Sequence, residues 1–215
     1  MNLFGYFSGN MGYIGQKFAQ HLYLFGISWA AAVFVGLIIA IVSTRPGRRK
    51  IGRTILSITG AAQSVPSIAV IAVVFIFMGI GALPALFALF IYSLVPITFN
   101  AASGLLSVEP SMKRAARGMG MTNRQILFRI ELPVSISAIA SGARNAATIN
   151  IGTATIASAI GAGGLGEIIF IGLRMTDTAM IFAGAAPAAV MAVIVDTLLA
   201  GFERLLTSPG LQSEE

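Results

Sequence analysis

Long apolar runs alternate with short polar ones along the 215 residues of the chain. The apolar runs fall at 21–44, 51–78, 84–108, 134 to about 160, and 178–206. At about 1.5 Å of rise per residue, each is long enough to cross a hydrocarbon layer about 30 Å thick. The pattern predicts an all-α membrane protein with five transmembrane helices. Ahead of them, Phe4, Phe7, Met11, Ile14 and Phe18 recur at three- and four-residue spacing, which puts them on one helical face. Residues 1–20 therefore read as a helix lying on the outer membrane surface. Gly5, Gly9, Gly12 and Gly15 favour a loosely ordered tail instead, and the pattern leaves both open.

Polar residues inside the runs mark places of interest. The second run is broken by Gln63-Ser64-Val65-Pro66-Ser67, where a proline frees a backbone carbonyl that polar neighbours can satisfy. This is either a simple kink or a broken helix lining a translocation path. The third run carries Tyr92, Pro96, Thr98, Phe99 and Asn100. The fourth is rich in small and hydroxyl residues, with Thr148 and Thr153 among them, which let helices approach closely. Arg144 and Asn145 lie in it as well. Path candidates are Gln63, Ser64, Pro66, Ser67, Tyr92, Phe99, Asn100, Asn145, Thr148 and Thr153; for the two aromatics the alternative is plain packing. A charge in a span is paired, snorkelling or functional. Arg144 stands about 16 Å along a helix from Pro133. Asp196 in the last run stands at a similar depth, so an Arg144–Asp196 pair or shared polar cluster is expected, against snorkelling of Arg144. His21 reads as an interfacial residue.

The polar segments supply direction. Arg45, Arg48, Arg49, Lys50 and Arg53 crowd the first connection, which the positive-inside rule places in the cytoplasm. That puts the N-terminus outside and the C-terminus inside, with 207–215 as a cytoplasmic tail. Lys17 and Arg174 are the basic residues left on the outer side. With only Lys17 in the first twenty residues, no cleaved leader is expected.

The segment 109–133 is a basic island holding Lys113, Arg114, Arg117, Arg124 and Arg129. Pro110 suits a first helical position, Gly118 and Gly120 end that helix, and Thr122-Asn123-Arg124-Gln125 has capping-box spacing. A second short helix follows and is expected to stop before Pro133. Such a bent basic loop is either a solvated connector or a knob that docks in a partner's groove.

Composition narrows the classes. The chain is 56% hydrophobic and 10% charged, with mean hydropathy +0.87 and net charge +6. No cysteine and a single histidine exclude thiolate chemistry and a His/Cys metal cluster. No phosphate loop of the form G-x-x-x-x-G-K-[ST] occurs, and no Ser/His/Asp set in plausible arrangement, so an enzyme is not expected. A basic, aromatic-interleaved patch for nucleic acid is also missing. The run Gly161-Ala162-Gly163-Gly164-Leu165-Gly166 fits G-x-G-x-x-G literally, but it ends an apolar run and lacks a βαβ setting, so it reads as an outer break in the chain. A short helix over 167–174 and a loop at 175–177 follow.

The basic island resembles the EAA loop of ABC-importer permeases. Ala115-Ala116, then Gly120 four residues on, then Ile130-Glu131-Leu132-Pro133 after nine more keep the family's spacing. Arg114 stands where the family has Glu, which unsettles any salt bridge that Glu would make. The resemblance implies a type I ABC-importer permease fold in a bacterial inner membrane, with 21–206 as the permease domain. It implies that Pro110, Ser111, Met112, Lys113, Arg114, Ala115, Ala116, Arg117, Gly118, Met119, Gly120 and Met121 dock on an ATP-hydrolysing subunit. It further implies two such subunits, which bind the ATP and Mg; a second permease copy or paralogue; and a separate substrate-binding protein. Runs such as Ala62-Gln63-Ser64-Val65-Pro66-Ser67, Ile151-Gly152-Thr153-Ala154-Thr155-Ile156 and Glu203-Arg204-Leu205-Leu206-Thr207 resemble the osmoprotectant (glycine betaine, carnitine, choline) subfamily. A methionine-type amino-acid permease and a secondary transporter are the alternatives.

Overall fold

The computed structural model describes residues 3–206, and within these every element is helical. The tail expected at 207–215 lies outside them. The helices are α1 (Leu3–Ser43), α2 (Arg49–Ala62), α3 (Ser67–Met78), α4 (Ala82–Ser107), α5 (Pro110–Gly118), α6 (Asn123–Ile126), α7 (Leu132–Ala157), α8 (Leu165–Met175) and α9 (Thr178–Leu206). Four helical runs are long and apolar enough to cross a membrane: 5–43, 82–107, 123–160 and 178–206. The pair α2–α3, interrupted at 63–66, supplies a further candidate span.

One open alternative is decided and one expectation is corrected. The first helix begins at Leu3 and runs through all four glycines of the N-terminal stretch, with one non-helical residue at Asn10 (φ −122°). The loosely ordered tail is therefore not what this stretch forms. Glycine weakens a helix by exposing its backbone to water, and that penalty shrinks where each N–H must find its partner within the helix. The correction concerns Pro133. The helix after Thr122 does not stop there; it passes through a π-helical segment, Leu127–Glu131, into α7. Leu132 N–H reaches back to Leu127 O, five residues earlier. The widened turn removes the clash a proline ring makes with an α-helical carbonyl, so the chain continues.

The chain divides into two compact units. The first contains the chain up to Ala32, with Val65–Ser93 and Ala146–Asp196. Its core is built from small residues: Ala85, Ala88, Ala154, Ala157 and Ala162 lie with Leu24, Ile71, Val74 and Leu89. Lipid tails are as apolar as leucine, so helices here associate by close packing, which alanine and glycine permit. Gly166 meets the Thr155 carbonyl so closely that no Cβ fits, and a Cβ on Gly184 would stand 2.8 Å from Leu165 O. The second unit contains Val33–Ser64, Leu94–Asn145 and, among the described residues, 197–206. Ala40, Ala101, Ala102, Leu105, Leu127 and Ile139 form its core. Gly104 lies against Ser135 and Ala138, and Gly142 against Asn100, again closer than a Cβ allows. Outward, both units bare large apolar side chains, including Phe34, Ile76, Phe77 and Leu205, the last 84% exposed. A protein surrounded by water rarely exposes so much; a hydrocarbon environment requires it.

Candidate functional site

The elbow of the second unit runs from α5 through α6 into the π segment. Pro110 takes the first position of α5, where its missing N–H costs no hydrogen bond. The helix ends at Gly118. Met119 N–H donates to Ala115 O at 3.0 Å, Gly120 N–H to Arg117 O at 3.0 Å, and Met121 N–H to Ala116 O at 3.1 Å. Gly120 has φ +78°, a left-handed conformation that glycine adopts without strain, and the chain turns there. Thr122 then caps α6 reciprocally. Gln125 N–H donates to Thr122 Oγ1 at 3.3 Å, and Thr122 N–H donates to Gln125 Oε1 at 2.8 Å. This is the capping box read from the sequence.

One carboxylate ties the elbow down. Glu131 is buried, and its Oε1 lies 2.8 Å from Lys113 Nζ while its Oε2 lies 2.9 Å from Arg45 Nη1. Lys113 also donates to Leu105 O at 3.3 Å, and Arg45 Nε donates to Ile41 O at 2.8 Å. Glu131 thus joins α5, the end of α1 and the start of α7. Cation, anion and carbonyl are all satisfied, which a buried charge needs. Sequence reasoning passed over Glu131. The signal was there: it is the one acid between Pro110 and Pro133, set among five basic residues. Ala116 is buried on the inner side of α5, while Met112, Arg114, Ala115, Arg117, Met119 and Gly120 are exposed. Ser111, Lys113 and Met121 are half-buried and Gly118 is exposed. The elbow therefore presents a mixed face of methionines and arginines on a fixed scaffold.

The path candidates distribute over the two units. In the first, Tyr92 O–H donates to Val65 O at 3.3 Å, beside the break at Pro66 and Ser67. Thr153 is buried and returns its hydroxyl to Ile149 O at 2.9 Å, within its own helix; Thr148 is exposed. In the second, Gln63 caps α2 and is exposed with Ser64. Phe99 packs on Gly60, where a Cβ would meet its ring at 3.2 Å. Asn100 donates to Pro96 O at 2.8 Å, and Asn145 is exposed. Arg144 Nη1 lies 3.6 Å from Glu203 Oε2. Glu203 was missed, although it follows Asp196 by two helical turns and so shares its face.

The first unit holds polar groups that the sequence did not announce. Asn150 is fully buried and its Nδ2 donates to Ser93 Oγ at 2.6 Å and to Ser28 Oγ at 3.0 Å. His21, read from the sequence as interfacial, is fully buried within the protein. Its Nε2–H donates to Ile151 O at 3.1 Å, and it stands against Gly164, whose Cβ-less backbone makes room. Close packing of α1 against this turn covers the ring. Gly161, Gly163 and Gly164 have φ of +78° to +82°, so the glycine run is a turn that only glycine makes easily. Gly164 N–H donates to Gln20 Oε1 at 3.2 Å. The helix expected at 167–174 forms over Leu165–Met175. Among the described residues, no group of three or more His, Cys, Asp or Glu side chains could hold a metal ion.

Comparison with known proteins bears on this geometry. The family description "binding-protein-dependent transport system inner membrane component" matches residues 15–208. The glycine betaine/carnitine/choline transport system permease protein OpuCD of Bacillus subtilis (strain 168) is 40% identical over 205 residues, covering 94% of this chain and 88% of that protein. The osmoprotectant import permease protein OsmY of Salmonella typhimurium (strain LT2) is 40% identical over 195 residues, covering 91% and 81%. Among solved structures, an inward-facing methionine ABC transporter MetNI chain superposes with TM-score 0.80 at 21% identity, covering 92% of this chain and 98% of that one. At that identity the match establishes the fold. The family match over nearly the whole chain, an all-helical fold shared with an ABC importer and an elbow with EAA-loop spacing agree: the chain belongs to the binding-protein-dependent transport system inner membrane components, which are permease subunits of ABC importers and not enzymes.

Proposed function

We propose that the chain forms part of the translocation path of an ATP-driven importer for a compatible solute such as glycine betaine, carnitine or choline, delivered by a binding protein. The observation that carries this is the similarity to osmoprotectant permeases along 94% of the chain. The elbow geometry supports the coupling role: α5 rests on a buried ion-paired base and bares Met112, Arg114, Arg117 and Met119. The chain crosses the membrane five times, counting α2–α3 as one broken span, with its N-terminus outside and its C-terminus inside. Two ATPase subunits and a second permease copy or paralogue complete the assembly. ATP closes the ATPase pair, the groove drags α5, and the spans reorient.

Gln63, Ser64, Pro66, Ser67, Tyr92, Phe99, Asn100, Asn145, Thr148 and Thr153 remain the candidates along the path, and Arg144 with Asp196 the candidate intramembrane polar cluster. The methionine-type alternative has support from fold only, at 21–22% identity. A secondary transporter would not need the binding protein that the family's description names.

The test is uptake by proteoliposomes holding the permease with its ATPase and binding protein. ATP-dependent accumulation of radiolabelled glycine betaine, carnitine or choline is expected, with none of methionine. Ala115→Trp and Gly120→Trp should each abolish uptake while membrane insertion persists. Methionine uptake without quaternary-amine uptake would overturn the substrate class. Full uptake by both tryptophan variants would overturn coupling through the elbow.

A further inference from the structure

The charges of the elbow do not balance within the protein. Over α5 stand Lys113, Arg114 and Arg117 and no acid. The carboxylate of Glu131 is already committed, one oxygen to Lys113 and the other to Arg45. Among the described residues, Arg114 and Arg117 have no acidic partner, and both are exposed. Arg45, Lys113, Arg114, Arg117 and Glu131 line one cavity of about 330 Å³, so four cations share a single carboxylate there. In water such a face is merely solvated. A face that seats in a protein groove loses that water, and unpaired guanidinium groups are then costly.

Resting on the docking role proposed for α5, we infer that the groove receiving it on the ATP-hydrolysing subunit is acidic. At least one Asp or Glu of that subunit pairs with Arg114 or Arg117. The two arginines are three residues apart on one helix face, so a single acidic patch can serve both. A guanidinium presents paired N–H donors that match a carboxylate fork, which fixes register as well as charge. Glu131 contributes by holding Lys113 and Arg45 back, so that the outward charge is carried by the arginines.

The experiment uses the complete importer. In an Arg114→Lys variant, a water-soluble carbodiimide joins the new amine directly to any carboxylate in contact, releasing the water to the reagent as a urea. Arginine does not couple this way, so the parent protein is the blank at this position. Mass spectrometry should find residue 114 bonded to an Asp or Glu of the ATPase subunit. Separately, Arg114→Glu/Arg117→Glu should lower co-purifying ATPase about tenfold or more at about 0.15 M salt, the range in which charge pairing is still felt. Ala115→Trp serves as the steric comparison. If Ala115→Trp expels the ATPase and the double reversal does not, the acidic groove is wrong and docking stands. If neither expels it, docking through α5 is wrong and the inference falls with it. If no conjugate to the subunit forms, and the double reversal instead abolishes binding of phosphatidylglycerol vesicles, the arginines serve the membrane and the inference is overturned.

Discussion

Two buried polar ties hold the two units, and they are made of different chemistry. In the first unit the tie is neutral: Asn150 donates to Ser93 and Ser28, with no charge involved. In the second it is ionic: Glu131 accepts from Lys113 and Arg45. Surroundings explain the choice. The cations at Glu131 are 22–25% exposed at the side chain, so their charge is partly solvated. Asn150 has no exposure at all and sits among apolar helices. Burying an ion there would cost several kcal/mol, whereas an amide with partners in place costs little. The difference teaches that a charged tie is used where water still reaches its cations, and a neutral one where the polar group is wholly enclosed by helices.

The sharpest way to break the comparison is to remove the anion. Glu131→Gln leaves Lys113 and Arg45 facing each other without compensation. Removing one partner of a buried pair costs about 3–5 kcal/mol, and partial exposure of the cations puts this case near 3. The expected outcome is a lower unfolding midpoint in detergent and loss of ATPase stimulation. Glu131→Gln/Lys113→Met removes one cation as well and should recover part of that loss. Equal stability of Glu131→Gln and the parent would show that the tie is not structural.

The neutral tie should break more gently. Asn150→Ala removes the donor to both serines without leaving a charge. Hydrogen bonds between membrane helices average about 0.6 kcal/mol with a maximum near 1.7, so a loss of about 1–2 kcal/mol is expected. Asn150→Asp sharpens the point, because it places an ionisable acid in the same buried position. It should be worse than alanine at neutral pH. Reversible unfolding in mixed micelles reads both. An effect of Asn150→Ala as large as that of Glu131→Gln would erase the distinction.

How much of this was legible in the sequence follows the range of each interaction. Pro110, Gly120 and the Thr122–Gln125 capping box act over four residues or fewer, and the structure has them where the pattern put them. The last helix, Thr178–Leu206, matches its apolar run to the residue. Glu131 was missed because its partner Arg45 is remote in sequence, and nothing in the pattern links them. Asn150 was missed for the same reason, since Ser28 and Ser93 lie on other helices. Pro133 misled because the stop rule assumes an α-helical turn, and the π segment before it is not one. The burial of His21 was not legible because an isolated polar residue at the start of an apolar run reads only as interfacial. The turn that covers it comes from the glycine run at 161–164.

The smallest effect belongs to a third tie, which tests whether charge itself or its setting matters. In the first unit Lys17 Nζ lies 2.6 Å from Glu167 Oε2, and Tyr13 O–H donates to Glu167 Oε1 at 3.3 Å. Lys17 also stands 5.4 Å from the Tyr13 ring centre. On paper the geometry is shorter than that at Glu131. Yet the Glu167 side chain is 36% exposed, against 7% for Glu131. Water shares the exposed carboxylate and screens it, which caps such pairs at about 0.2–1 kcal/mol. Glu167→Gln should therefore cost under about 1 kcal/mol, and the cost should shrink as salt rises past about 0.15 M. The glutamine oxygen keeps an acceptor for one of Tyr13 and Lys17, which trims the loss further. If Glu167→Gln proved as damaging as Glu131→Gln, contact distance would govern these ties. If it is mild and salt-sensitive, burial governs them, and the short contact at Lys17 is a poor guide to its worth.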